Sequence, residues 1–442
     1  MNNISMEQKI KLQSNKSFLL FGYGLAIFPF FLLIGPLIAE LFLISAIFFS
    51  FYLIIIEKKR NYYNNKFFIF FGIFYLSTLF STLYNFYNLE DSISGIFYFR
   101  IPLFAISIWF ILDNSKFFDS KIILFYSLFF SLLVFDSLIQ FYLGKNLLGY
   151  EIYGSRISSF FKDEQILGGF ILRSMPIFLI YLVMSEKINE KKISFFYLTL
   201  ISLLCFVIFL SGERAAFGLL ILFYFTIFFI SKYFRKFVTY VAILFVIISI
   251  ILPNLSTTKN IKPTERMFTN SLKQIVGTGQ KRYEGDKKML FNKFYIFSHQ
   301  HHGHYVLSYK IFKDHVFAGT GAKGFRYLCG NKIYILENNE GCSTHPHNTY
   351  VQILTSNGLI GFSLIIFAFF FVVKEIFSCR KKILHLNEFN KYEISKAIAI
   401  TAIFINLWPL IPNGSFFNNW LSMFYFYPIG FYLYFKYQIK KK

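Results

Sequence analysis

The chain has 442 residues, 55% of them hydrophobic and only 15% charged, with a mean hydropathy of +0.51. That is more apolar side chain than a water-soluble core can hide, so a soluble globular enzyme is excluded and the chain must be dissolved in lipid. A net charge of +22 would suggest nucleic acid in a soluble protein, but here the basic residues follow a topological pattern, and no nucleic-acid partner is expected.

The first apolar stretch, 17–35, has no small-residue cleavage site after it and runs through Pro36 into another apolar segment. It therefore reads as a retained helix rather than a removed signal. Runs close to the ~20 residues that a bilayer-crossing helix needs follow at 37–56, 67–84, 96–112, 122–143, 166–184, 193–210, 217–230, 237–252, 351–376, 397–411 and 421–435. The expectation is an all-α integral membrane protein of about twelve transmembrane helices. With the N-terminus in the cytoplasm, the inner segments hold most of the basic residues, and the short outer loops hold only Lys145, Arg156, Lys162 and Arg214. This is the positive-inside pattern, and it places both termini in the cytoplasm. The 64 Phe and 30 Tyr reflect a general bias of composition, so aromatic runs read as lipid-facing or packing surface.

One segment breaks the charge pattern. Residues 253–350 carry fourteen basic residues against six acids, and seven of the eight histidines: His299, His301, His302, His304, His315, His345 and His347. Long loops translocate regardless of charge, and one of this length without a purpose would be unusual. The expected organisation is nine spans over 1–252, a large extracytoplasmic loop over 253–350 before the tenth span, and three spans over 351–442.

Arg100 and Arg173 fall inside expected spans, where an arginine costs at least ~2.5–3.5 kcal/mol. Each must snorkel, pair with a carboxylate such as Asp136 or Glu164, or line a polar cavity open to the outer face. Arg156 stands in a polar outer loop before the sixth span. Arg214, in Ser211-Gly212-Glu213-Arg214, sits at a membrane boundary where a forked, permanently charged donor beside a helix N-terminus suits phosphate. Its alternative partners are Glu213 and lipid phosphate. The run Thr344-His345-Pro346-His347-Asn348 stands at the mouth of the tenth span, where a neutral imidazole could take a proton from a sugar hydroxyl or be plain polar surface. Gly319-Thr320-Gly321-Ala322-Lys323-Gly324 imitates a phosphate loop but follows no strand, so it reads as a turn and not as a nucleotide site. Cys329 and Cys342 share the outer loop, where a disulfide persists. Free thiols, or a metal site with His345 or His347, are the alternatives. There is no acidic cluster, and neither a metal nor a cofactor is expected.

Four pieces in order, RISSFFKDEQILGGFILRSMP, LSGERAAFG, YKIFKDHVFAGTGAKGFRYLC and THPHNTYVQILTSNGLIGF, resemble the O-antigen ligase and O-antigen polymerase superfamily of membrane glycosyltransferases over about 156–371. The resemblance implies a GT-C-like helical fold in the bacterial inner membrane and an active site on the periplasmic face. It implies an undecaprenyl-diphosphate-linked glycan donor, and an acceptor that is another lipid-linked sugar for a polymerase or lipid A-core for a ligase. Membrane lipid and other polysaccharide-assembly proteins are the further partners it implies. Carried onto this chain, Arg214 would contact the diphosphate and His347 would be the base, with His345 and Asn348 beside it. An arginine often found in the family's outer loop has no evident counterpart. His304 or a neighbour would replace it, or the role would pass to Arg100, Arg156 or Arg173. The reading leans slightly to polymerase. A transporter or flippase is the alternative from another class, but it would favour internal repeats, and the polar residues here gather at one face.

Overall fold

The structure, a computed structural model, describes residues 6–115, 118–152, 156–188, 194–254, 263–269, 272, 299–335 and 341–441. Of the expected loop, residues 255–262, 270–271, 273–298 and 336–340 lie outside the described residues. The described residues fold as helices joined by turns, with an isolated bridge between Lys145 and Glu151.

The first expected span is a broken pair, α1 (Met6–Ala26) and α2 (Phe28–Ile34), bent by 58°. Pro29 stands in the first turn of α2, where its missing N–H is no loss. Next come α3 (Pro36–Ile56), α4 (Lys66–Tyr84), the short α5 (Leu89–Ile96), α6 (Arg100–Asn114) and α7 (Ser120–Leu143). After these follow α8 (Leu167–Met184), α9 (Phe195–Leu210), α10 (Arg214–Ile230) and α11 (Arg235–Asn254). The loop segment contributes α12 (His299–Asp314) and α13 (Gly324–Leu328), and the chain closes with α14 (Thr349–Leu384), α15 (Lys391–Asn406) and α16 (Asn419–Lys441). Each of the twelve apolar runs is helical over most of its described residues, although 97–99 and 407–411 lie outside the helices. Among the described residues seven helices, or eight with the bent pair taken as one, are long and apolar enough to cross a membrane. The chain has the composition and helices of a multi-pass membrane protein.

α8 is the pillar of the bundle. Of its 18 residues all but Arg173 are buried, as expected of a helix apolar on every side and packed on every side. α7, α9, α10 and α15 surround it. α16 packs along α6 and α15, and approaches α6 so closely at Gly430 that a Cβ there would lie 2.4 Å from Ile108 Cβ. Small residues permit such contact between helices where burial from water supplies no drive.

α14 is 36 residues long, about 54 Å at 1.5 Å per residue, well beyond a hydrocarbon core of about 30 Å. It is not one rod. Gly358 has φ +63° and interrupts the helix, and the glycine-rich turn of the loop fills the break. Thr320 N donates to Thr355 O at 2.9 Å, Gly321 N to Ser356 O at 2.9 Å, and Leu359 N to Val316 O at 2.8 Å. Ser81 of α4 accepts from Gly321 N at 2.9 Å and donates to Ser356 O at 2.5 Å. Gly319 has φ +70°, and its missing Cβ would sit 2.3 Å from the Ser356 backbone, so only glycine fits there. The sequence reading of this motif as a turn agrees with its conformation, and its hydrogen bonds go to α14 and α4.

Candidate active site

The α9–α10 connection is a tight turn. Gly212, at φ +68°, lets two guanidinium groups approach its backbone: a Cβ there would lie 2.8 Å from Arg266 Nε and 3.3 Å from Arg156 Cγ. Arg266 Nε donates to Gly212 O at 3.0 Å, and Arg156 Nε to Ser211 O at 2.9 Å. Arg214 opens α10 on the same turn. Burial pushes the Arg156 guanidinium below its ordinary range; Glu213 opposes this, and the neighbouring charges of Arg266 and Arg214 add to it. Burial lowers Arg266 as well, again assisted by Arg214. Three arginines therefore share one electrostatic neighbourhood.

Glu213 is the carboxylate among them. It accepts from Gly168 N at 2.6 Å and Gly169 N at 3.0 Å, at the N-terminus of α8, and lies 3.8 Å from Arg156. Burial raises its carboxyl, against the pull of Arg156 and those two amides. Its lone pairs are thus largely committed to holding the turn on α8.

The second half of the site is a cluster of imidazoles. His347 lies with its ring centroid 4.1 Å from His345, 5.0 Å from His304 and 5.6 Å from His301. Burial, then the charges of its three neighbours, push His347 down to about 3. Burial and His304 bring His345 to about 4, and burial, His304 and Arg214 bring His301 to about 4. At neutral pH the cluster is uncharged; His347 Nε2 lies 3.3 Å from Ser343 Oγ and His345 Nδ1 3.0 Å from Thr344 Oγ1. Arg214 reaches this cluster through His301.

His347 has φ +58°, a left-handed conformation unusual for a residue with a side chain. It is held from both sides. Its carbonyl accepts from Asn413 N at 2.8 Å, and Asn348 caps α14 through Tyr350 N at 2.9 Å and Val351 N at 3.1 Å. Asn348 Nδ2 donates to Pro409 O at 2.8 Å. Its polar atoms are used, so Asn348 is a cap and not one of the groups facing the cavity. Gln352 fixes the same 407–418 connection, donating to Ser415 Oγ at 2.9 Å and accepting from Phe416 N at 2.8 Å.

A cavity of about 930 Å³ opens beside both halves. His345, His347, Arg173, Arg100, Glu213 and Asn413 are among the residues that line it. Arg173 donates to Gly169 O at 3.0 Å, approaches Asn413 Oδ1 at 3.4 Å and lies 5.9 Å from the Tyr425 ring centroid. Arg100 begins α6, inside the candidate span Leu89–Asn114, as expected; it pairs with Glu40 and donates to Asn419 Oδ1 at 2.9 Å. The partner expected for these arginines, Asp136, is instead engaged with Leu147 N at 2.9 Å, Asn146 and Ser159. Arg156 bonds Gln165 and Ser211 outside the residues that line the cavity.

Cys329 and Cys342 form a disulfide with their Cα atoms 5.0 Å apart. The bridge ties α13 to the segment that leads into His345 and His347. Among the described residues there is no group of three or more His, Cys, Asp or Glu that could hold a metal ion.

Sequence reasoning missed Arg266, Glu40 and the 407–418 connection. Glu40 was legible as a carboxylate in an apolar run, and Pro412-Asn413-Gly414 as a polar turn at the outer end of a span. Nothing in the sequence singled out Arg266 among fourteen loop cations.

No curated protein matches the chain. Residues 199–366 match the family model described as O-antigen ligase. That stretch carries Arg214, Arg266, the four clustered histidines and the disulfide, so the similarity to the O-antigen ligase family falls on the segment that builds the site.

Proposed function

We propose that the protein transfers a glycan from an undecaprenyl-diphosphate-linked donor to an acceptor sugar hydroxyl on the periplasmic face of the bacterial inner membrane. The observation that supports this reading is three arginines gathered at the α9–α10 turn, with Arg214 acting on His301 of a neutral histidine cluster whose His345 and His347 line the cavity. A lipid diphosphate is already an activated leaving group, so the reaction needs fixed cations for the departing charge and a base for the incoming hydroxyl. His347 takes the acceptor proton as the oxygen attacks the anomeric carbon. The bond from that carbon to the diphosphate oxygen breaks, and its electron pair leaves on an anion facing Arg214, Arg156 and Arg266. Arg173 and Arg100 hold the anionic and hydroxyl groups in the cavity. An apolar groove along α9, α10 and α11, lined by Phe217, Ile221, Tyr224, Phe228 and Phe245, starts one turn below Arg214 and suits a polyprenyl tail.

The loop on the periplasmic side and both termini in the cytoplasm follow from the positive-inside pattern. Our reading leans to a polymerase extending lipid-linked repeat units; the matched family's description favours the second reading, a ligase acting on lipid A-core. The test uses isolated membranes of the native host lacking the chromosomal copy, complemented with wild type or His347→Ala. Wild type should convert the host's lipid-linked donor to product, and His347→Ala should abolish conversion at normal abundance. Full conversion by the variant would overturn the assignment. A high-mass product still on the polyprenyl lipid identifies a polymerase, and one on lipid A-core a ligase.

A further inference from the structure

His304 is 2% exposed, yet one of its ring nitrogens has no hydrogen-bond partner. Its other nitrogen, Nδ1, lies 2.6 Å from Gly341 O. A carbonyl can only accept, so Nδ1 carries the proton and Nε2 of the neutral ring presents a bare lone pair. The contact is built with care: Gly341 has φ +82°, and a Cβ there would sit 2.6 Å from the Gly303 backbone, so the two segments touch glycine to glycine. The Cys329–Cys342 bridge fixes the residue next to Gly341. The fold thus spends a disulfide and two glycines on setting the tautomer of one buried imidazole 5.0 Å, ring to ring, from His347.

From this geometry we propose that His304 is a positioning residue that receives, at Nε2, the proton His347 takes from the acceptor hydroxyl. The inference rests on the glycosyl-transfer reading above and reassigns His304 from donor binding to proton handling. The balance is simple. One nitrogen of His347 gains the acceptor's proton, its other nitrogen gives up a proton to His304 Nε2, and His347 stays neutral. The positive charge ends on an imidazolium whose Nδ1–H points at a carbonyl. The groups facing His304 are His301 on its own helix and His345 and His347 across from it, with Arg214 acting on His301 and Arg326 on His345. Burial lowers His304 as it does its neighbours, and the Gly341 carbonyl works against that by favouring a proton on the ring. The transfer requires the His347 ring, whose Nε2 lies 3.3 Å from Ser343 Oγ, to rotate toward His304.

The experiment compares His304→Asn, which keeps an N–H for Gly341 O and loses the second nitrogen, with His304→Ala, in native-host membranes across pH. His304→Asn should be normally abundant and keep the disulfide. Its transfer should fall roughly a hundredfold at neutral pH, the scale of general acid–base assistance, and recover as pH rises through a range where wild type is flat. Added imidazole should restore His304→Ala. A variant with wild-type rate, or a loss that neither pH nor imidazole relieves, overturns the proposal and makes the residue structural. If His347→Ala also retains transfer, it is the base assignment that has failed.

Discussion

At the residue scale, Arg173 shows how a charge is accommodated inside an apolar pillar. Every other residue of α8 is buried against protein, so this guanidinium must leave toward the cavity, where Gly169 O, Asn413 Oδ1 and the Tyr425 ring receive it. Two of those contacts depend on a planar fork. Arg173→Lys keeps the charge and loses the fork, so KM for the lipid-linked donor should rise about tenfold, the ~1.4 kcal/mol of one good polar contact, with the protein still folded. Unchanged KM in both Arg173→Lys and Arg173→Ala would make it structural. Asn348 illustrates the opposite case. Removing its cap by Asn348→Ala should cost about 1 kcal/mol and lower the melting temperature, while Asn348→Asp, which preserves the acceptor, should cost less. Equal melting of all three proteins would contradict the capping role.

At the element scale, α12, α13 and the segment after Gly341 form one small unit around Leu307, Ile311, Phe325, Cys329 and Tyr334. Its covalent tie spans 13 residues, and a closed loop of that size adds about 3 kcal/mol by chain entropy. Protein from native membranes should show the bridge by mass spectrometry of non-reduced peptides, and Cys342→Ser should make this unit cleave at lower protease concentration. The histidines give the same unit an acid limit. Their folded values lie near 3 to 4 against 6.5 in the unfolded chain, so the unfolded chain binds more protons between those limits. Stability is full above pH 6.5 and falls as pH drops toward 4; thermal melting in detergent should show the loss over that window, and a flat profile would mean the rings are not buried in the folded protein. Much of this unit was legible in advance. The cysteines, the His-Pro-His-Asn run and the glycine turn all stood out by residue type. What could not be read was that α12 turns His301 and His304 toward His347, because two segments some forty residues apart meet only through packing.

At the scale of the whole molecule, hydropathy located the long apolar helices, since each apolar run had to satisfy its backbone internally, but not the short or polar α5, α12 and α13. It said less about depth. The 58° bend before Phe28 and the start of α6 at Arg100 are set by local breakers and by the Glu40 pair, and a window average erases both. The site's arrangement was hidden for the same reason that Arg266 was: it is assembled from α6, α8, the α9–α10 turn, α12, α14 and the α15–α16 connection. The union of the glycine turn with the interrupted α14 bears on how the cavity is filled. Three backbone hydrogen bonds join them and Ser81 of α4 bridges the same groups, and parting the two would strand those amides and carbonyls, at about 1–3 kcal/mol apiece. This face is a fixed wall rather than a hinged door, and substrates must come sideways from the bilayer or through the opposite rim. Amide exchange at Thr320, Gly321 and Leu359 should therefore be slow, and equally slow with and without donor lipid present.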